Sequence, residues 1–551
     1  MKSLLNIRYI YKVNSSQLFK SNWNLSLNRA TAIRNNNFIN LSSSTATRMV
    51  DRINGEENID KDIAELKQEI KLLNKIKFKT GEQLVNLKNK IHELQRKNLI
   101  SDIVFVVMDS KKDYDRANKS FILNGIEYVR LVATSGGVKK STIIYANKEI
   151  HDELYKWMNN DRDMTKLFVP AKLESYIGLS FSSSVPVSSP RGVCVVHDVE
   201  TVFNDDVILI DGNGRKYPKI ETVKGYETKL NACDGMGLML PGLAKRWSEE
   251  MQENYMTSGV CMRNAFLKGM AYTFDFQQFA KEIAKTEYIK DVWGNIHNIN
   301  NIDLIVTTSM LKLWDSYKSI EHYLDCCERN HYEFALTKLI DEELDNEQTM
   351  NYQFLQSLKL SDEDIYNLCK PTIDEFHDVL GGDYRKTLLF LRGQKMNKEN
   401  VLGNMNDFTS ALMVDETLLE DKYVYSKIRN AIKKRIDDAK MGVIKVKGNF
   451  SLVSGDPYLL CESMFGLELK GLLKKGEIYS EYWSNRNVSE VAMFRAPTTN
   501  KESNLVRNIT NTEEMQKWFK YMNCVTILNA WDNTASALNG CDFDKVVTLL
   551  K

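Results

Sequence analysis

The order of its patterns most limits how this chain can fold. Short β-branched and apolar runs separated by turn signals fill residues 168–240, as in SPRGVCVVHDV and DVILIDGNGRKYPKIETV. Amphipathic helical stretches occupy 303 to about 440, and strand-like runs resume at Val443 with VIKVKGNFSLV, EIYSEYW, EVAMFRAPT and CVTILNAW. Short strands at such spacing favour a barrel or a compact β unit. Two β units divided by helices allow two copies of one fold. With 551 residues the chain has room for about three or four folding units, each with its own core.

The pattern divides the chain into segments. Residues 1–100 read as an N-terminal arm, Asn/Ser-rich and irregular up to about residue 57. From Ile59 the apolar residues Ile59, Ile63, Leu66, Ile70 and Leu73 fall on one helical stripe, which restarts at Leu84, Leu87, Ile91 and Leu94 after Thr80-Gly81. This predicts an antiparallel helical hairpin over 59–98, packed on its own chain, projecting as an arm, or pairing with a second copy. Residues 101–204 read as a mixed α/β lead-in, 205–300 as the first β unit, 301–440 as a helical connector and 441–551 as the second β unit. The fold class is therefore α+β.

Composition removes several alternatives. Lys plus Arg is 74 against 73 for Asp plus Glu, a net charge of +1, so a grip on nucleic acid must come from local basic patches. Nine cysteines without a CxxC pair exclude a disulfide scaffold and a ribbon-type zinc site, and fit a reducing cytoplasm. The start, MKSLLNIRYIYKVN, is too short in apolar residues for a signal peptide, and no window is apolar enough to span a membrane.

Four suggestive clusters read better as ordinary structure. The turn Ser135-Gly136-Gly137 before Lys140-Ser141 lies between strands and lacks the Gly that a P-loop places before its Lys. His322 and His331 sit nine residues apart, on opposite sides of a helix, so one ion does not reach both. Gly381-Gly382-Asp383 is flanked by helical sequence and reads as a helix–helix turn. His197-Asp198 reads as a hydrogen-bonded strand terminus, because no nucleophile accompanies it.

Asn539-Gly540-Cys541-Asp542-Phe543-Asp544 is different, since it sets two carboxylates two residues apart after a Gly turn. Such pairs suit Mg²⁺, a hard cation that takes carboxylate oxygens and keeps positions for water and phosphates. Upstream stands Arg495-Ala496-Pro497-Thr498 on a strand. Together these runs resemble the larger catalytic subunit of multi-subunit RNA polymerases. Asp234-Gly235-Met236-Gly237, Pro241-Gly242, Lys245-Arg246 and Arg263-Asn264-Ala265-Phe266-Leu267-Lys268-Gly269 resemble the first barrel of the single-chain two-barrel polymerases. That group contains the RNA-dependent RNA polymerases of RNA silencing and the single-subunit RNA polymerases of phages. Phe168-Val169-Pro170-Ala171-Lys172 and Ser188-Ser189-Pro190-Arg191-Gly192 resemble the phage group's lead-in.

The resemblance covers about residues 125–290 and 440–544. It implies two double-psi β-barrels and template-directed nucleotidyl transfer from nucleoside triphosphates to an RNA 3′ end. Nucleic acid template, RNA product and nucleoside triphosphates are the expected partners. It implies Mg²⁺ on Asp542 and Asp544, Lys268 and then Lys245 on the substrate phosphates, Arg263 among the substrate-binding residues, and Arg495 on the sugar or the RNA 3′ end. The template stays open between DNA and RNA, with the lead-in motifs favouring a phage-type enzyme on DNA.

The chain departs from the family at the metal loop. The pattern continues Asp-Gly-Asp where this sequence has Asp544-Lys545-Val546, so a third carboxylate is missing and a cation is added. The expectation is a crippled polymerase. Its alternatives are a nucleic-acid-binding remnant without catalysis and an unrelated β-rich structural protein. Val546-Val547-Thr548-Leu549-Leu550-Lys551 can be encoded by a string whose other frame reads Gly-Asp-Ile-Ile, so a shifted frame is also expected.

Overall fold

The structure, a computed structural model, describes residues 7–550 except 77–78, 111, 118, 135–141, 167, 213–216, 351, 357, 393–406, 499–504 and 544. Asp544 and the Ser135–Ser141 turn therefore lie outside the described residues. The chain is α+β and contains three seven-stranded sheets.

The N-terminal segment is not an irregular arm. Ile7–Asn14 and Phe38–Ser42 pair with each other, and Ile7–Asn14 also pairs in parallel with Leu99–Val107. These join four further strands that end with Thr142–Asn147. The strand-like run IRYIYKVN is buried on both faces, Ile10 on one and Tyr11 and Val13 on the other, and the Asn/Ser-rich residues after it gave no sign of its partners. The helical hairpin forms as Ile59–Lys75 and Gly81–Lys97. Its antiparallel register is visible in Lys90 on Glu69 (2.6 Å) and Lys97 on Asp62 (2.7 Å). Only Ile59, Ile63 and Leu66 of the first helix are buried and none of the second, so the hairpin projects from its base.

The first β unit is an open half-barrel. Its strands run Val185–Pro186, Ala335–Leu339, Gly259–Asn264, Leu267–Thr273, Met236–Met239, Leu304–Thr307, Val193–Val196 across the sheet. Its limits differ from the expected 205–300. Ala335–Leu339 falls in the stretch read as helical, a short run that follows directly on the amphipathic helix Ile320–Arg329. Residues 200–231 form instead a separate, largely exposed two-stranded ribbon of Glu200–Asp211 against Lys219–Asn231.

The second β unit closes. Lys445–Ser454, Val525–Leu528, Glu477–Tyr479, Leu505–Ile509, Glu490–Phe494 and Val546–Leu550 make a ring, because the last strand returns to pair with the first. Glu347–Thr349 adds at its rim. Between the two units, Asp362–Leu380, Tyr384–Arg392 and Lys422–Lys440 are helices, and Gly381-Gly382 is the turn between the first two.

The two β units share one core. Met236, Leu238, Met270 and Tyr272 of the first are buried with Val453, Ile527, Phe543, Val547 and Leu549 of the second. The approach is close enough to demand glycine. A Cβ on Gly455 would stand 2.1 Å from the Ala232 carbonyl oxygen and 2.9 Å from Met236 Sδ.

Candidate nucleotidyl-transfer site

Strand alternation sorts the residues of Leu267–Thr273. Met270 and Tyr272 point into the core between the two β units, and Ala271 into the core on the other face. Lys268 shares the first face by its even offset. Four residues of strand, about 13 Å, separate it from Tyr272. Across the ladder Lys268 stands directly opposite Arg263, and Cys261 opposite Lys338 of the next strand. Arg263, Lys268 and Lys338 thus occupy one face of the half-barrel.

Like charges directly opposite each other destabilise a sheet, because their Cβ atoms are only about 5 Å apart. Such a local conflict is expected where an anion is to be bound. Arg263 Nη1 donates to the Met262 carbonyl (2.7 Å) and contacts Cys261 Sγ (3.4 Å), while its buried Nε has no partner.

Residues 541–543 of the second unit meet this face. Phe543 N donates to the Asp234 carbonyl (2.9 Å). The Tyr272 hydroxyl, wholly buried, lies 2.6 Å from the Val453 carbonyl and 2.9 Å from that of Phe543. The peptide at the centre of Asp542-Phe543-Asp544 is therefore held on both sides by the first unit.

The Asp234 turn is itself fixed. Gly235 N donates to Ser309 Oγ (2.8 Å), whose hydroxyl donates to Asp198, and Thr308 Oγ1 donates to the same carboxylate. Asp198 is thus the hydrogen-bonded strand terminus expected from the sequence. Gly269 completes the fit, since a Cβ there would stand 2.5 Å from the Gly235 carbonyl oxygen.

Asp542 is half-exposed at a turn that Lys545 N closes onto the Asp542 carbonyl (3.2 Å). Lys545 Nζ lies 3.4 Å from Asp542 Oδ2. Among the described residues no group of three His, Cys, Asp or Glu gathers to hold a metal. The hard oxygen of Asp542 fits Mg²⁺ in kind, and the ammonium beside it weakens that fit in charge.

Arg495 follows the strand Glu490–Phe494. Its Nη1 donates to the carbonyls of Leu538 (3.0 Å) and Asn539 (2.8 Å), just ahead of Asp542. It also lines, with Phe494, Val443, Phe450 and Lys545, a cavity of about 610 Å³.

Lys245 is not brought to this place. The helix Pro241–Glu250 packs Leu243, Ala244 and Trp247 into the core on the other face of the half-barrel. Lys245 is exposed there, 4.0 Å from Glu249. Tyr272 and Lys338 went unnoticed in the sequence, where each sits in a short run with no motif to mark it. The His322 and Cys326 side chains contact one another at 3.6 Å on one helix face, without a metal set around them.

No protein-family model matches the chain. Over 444 residues, 77% of this chain, it is 27% identical to the DNA-directed RNA polymerase YonO of Bacillus phage SPbeta, of which the match covers 49%. Among solved structures it superposes on the RNA dependent RNA polymerase QDE-1 from Thielavia terrestris, with a TM-score of 0.53 and 14% identity. That match covers 82% of this chain and 48% of the other. The chain shares the fold of this polymerase over the matched part. The sequence resemblance to the two-barrel RNA polymerases is supported by the phage relative. The chain spans about half the length of each of these two proteins. Among the described residues no helix is long and apolar enough to cross a membrane.

Proposed function

We propose that this chain builds the nucleotidyl-transfer centre of a template-directed RNA polymerase, which joins nucleoside triphosphates to an RNA 3′ end with release of pyrophosphate. One observation carries the reading. The peptide between Asp542 and Asp544 is bonded by Asp234 and Tyr272 of the half-barrel, on whose same face Arg263 and Lys268 stand paired. Cations for a triphosphate and carboxylates for a metal are thereby offered from two units that share a core.

Asp542 and Asp544 would hold Mg²⁺, which when bound acidifies a 3′-hydroxyl and offsets phosphate charge. Arg263 and Lys268 bind the triphosphate oxygens and counter the charge that builds on them during transfer. Arg495 spends Nη1 on the turn before Asp542, and its Nε and Nη2 donors are assigned to the sugar. DNA is the proposed template, because the sequence likeness is to a polymerase named as DNA-directed, whereas the likeness to the RNA-dependent enzyme is one of fold.

The ion pair of Lys545 with Asp542 favours low activity, and also supports the second reading, a nucleic-acid-binding protein without catalysis. Primer extension on single-stranded DNA and RNA templates with Mg²⁺ tests both. Slow extension, faster on DNA and abolished by Asp542→Ala, is expected. Template binding without extension, even in Lys545→Gly, would leave only the second reading. Absence of both binding and extension would remove both.

A further inference from the structure

The helix Lys422–Lys440 carries seven basic and two acidic side chains, in a protein whose net charge is +1. Its apolar side is accounted for, because Val424, Ile428 and Ile432 are buried against Val379 in the core of the helical connector. The cations are not spread evenly over the rest. At 100° per residue, Lys422, Arg429, Lys433 and Lys440 fall within about 40° of arc. They form a straight stripe about 27 Å long, at 1.5 Å of rise per residue.

All four are exposed. Lys440 pairs with Asp437 (3.5 Å), and among the described residues Lys422, Arg429 and Lys433 have no carboxylate partner. Arg429 and Lys433 are four apart, an arrangement of like charges that costs an isolated helix a few tenths of a kcal/mol. Lys422 stands in the first turn, where the helix dipole disfavours a cation. At Lys422 and at the Arg429 and Lys433 pair the helix therefore keeps cations against its own stability. Lys427 and Lys434 point elsewhere, and Lys427 lies over the Tyr423 ring (5.1 Å).

The C-terminal end of this helix adjoins the candidate site. Ala439 packs in the small core that holds Phe494 and Leu550, and Arg495 follows Phe494 directly. Val443, three residues beyond Lys440, lines the same cavity as Arg495 and Lys545. From that cavity the cations run outward along the helix. We propose that Lys422, Arg429, Lys433 and Lys440 form a track for the phosphate backbone of nucleic acid leading between the transfer centre and solvent. At one phosphate per 3.4 Å of each strand, the stripe spans about eight phosphates. This inference rests on the polymerase reading for the identity of the nucleic acid, but its test does not depend on catalysis.

Binding of a labelled RNA–DNA hybrid of about 25 base pairs, three times the length the stripe spans, is measured against salt concentration. Two variants of equal charge change are compared, Arg429→Gln/Lys433→Gln on the stripe and Lys427→Gln/Lys434→Gln off it. Gln keeps the helix propensity of Lys and Arg. Each phosphate contact contributes about 0.9 to the slope of log affinity against log salt, so the stripe variant should lose about 1.8 and the other nothing. Equal losses in the two variants would mean a diffuse field and overturn the track. No loss in either would also overturn it, and is the result expected if the stripe serves an acidic protein. Triphosphate binding should be unchanged in both variants, so a protein that fails there fails the polymerase reading and not this one.

Discussion

The Tyr272 hydroxyl reaches the carbonyl of Phe543 at 2.9 Å, across 271 residues of sequence and from one β unit to the other. Through this bond the half-barrel sets the position of the peptide between Asp542 and Asp544. Lys268 stands on the same strand and face, four residues from Tyr272.

Tyr272→Phe removes the hydroxyl and leaves the Val453 and Phe543 carbonyls to find other donors in a buried place. An unsatisfied buried group costs about 1–3 kcal/mol. A lower thermal midpoint is expected, together with a larger loss of nucleotidyl transfer than of template binding. A variant with unchanged transfer would show that the bond does not position the loop.

Arg263 and Lys268 face each other across the ladder, so removing one charge should not harm the sheet. Lys268→Met is expected to change stability by less than about 1 kcal/mol, because it relieves a like-charge pair. Triphosphate affinity should fall at least about tenfold, which is about 1.4 kcal/mol. Chemical denaturation and a nucleotide titration on the same preparation separate the two effects. Loss of stability with intact nucleotide binding would assign Lys268 a structural part instead.

Asp456 caps the helix Pro457–Met464 and accepts from the backbone N–H of Tyr458 (2.9 Å) and Leu472 (2.7 Å). Burial pushes its carboxyl up to about 6 from an ordinary 3.8. The folded protein then holds this proton more tightly than the unfolded chain. Its contribution is fully present below about pH 4 and is lost as the pH rises through about 6. Asp456→Asn keeps a capping oxygen and removes the titration. The difference in urea midpoint between pH 4.5 and pH 7, about the two ends of that window, should change accordingly, with the variant losing less on going to the higher pH. Identical differences in the two proteins would contradict the assignment.

Much of the fold was legible because its signals are local. The hairpin over 59–98 follows from a helical stripe broken at Gly81, and both β units follow from short apolar runs between turns. The rest depended on long-range partners. Ala335–Leu339 is a strand because Gly259–Asn264 and Val185–Pro186 lie on either side of it, which no local pattern states. Ile7–Asn14 likewise gains its burial from strands that come some ninety residues later. For the candidate site, Asp542, Lys268 and Arg495 were put forward by resemblance, whereas Tyr272 reads in sequence as one more core aromatic. Lys245 was misplaced because its motif lies beside the half-barrel in sequence but on its far face in space.

The central claim, a transfer centre held open to metal by Asp542 and opposed by Lys545, is tested most directly by Lys545→Gly. A unit charge about 4 Å away is worth roughly 1–4 kcal/mol at an effective dielectric between water and protein surface. Mn²⁺ binding read by electron paramagnetic resonance should therefore tighten about tenfold or more in the variant, and primer extension should rise with it. Asp542→Ala in the same background should abolish both. Unchanged metal affinity in Lys545→Gly, or extension that survives Asp542→Ala, would contradict the account.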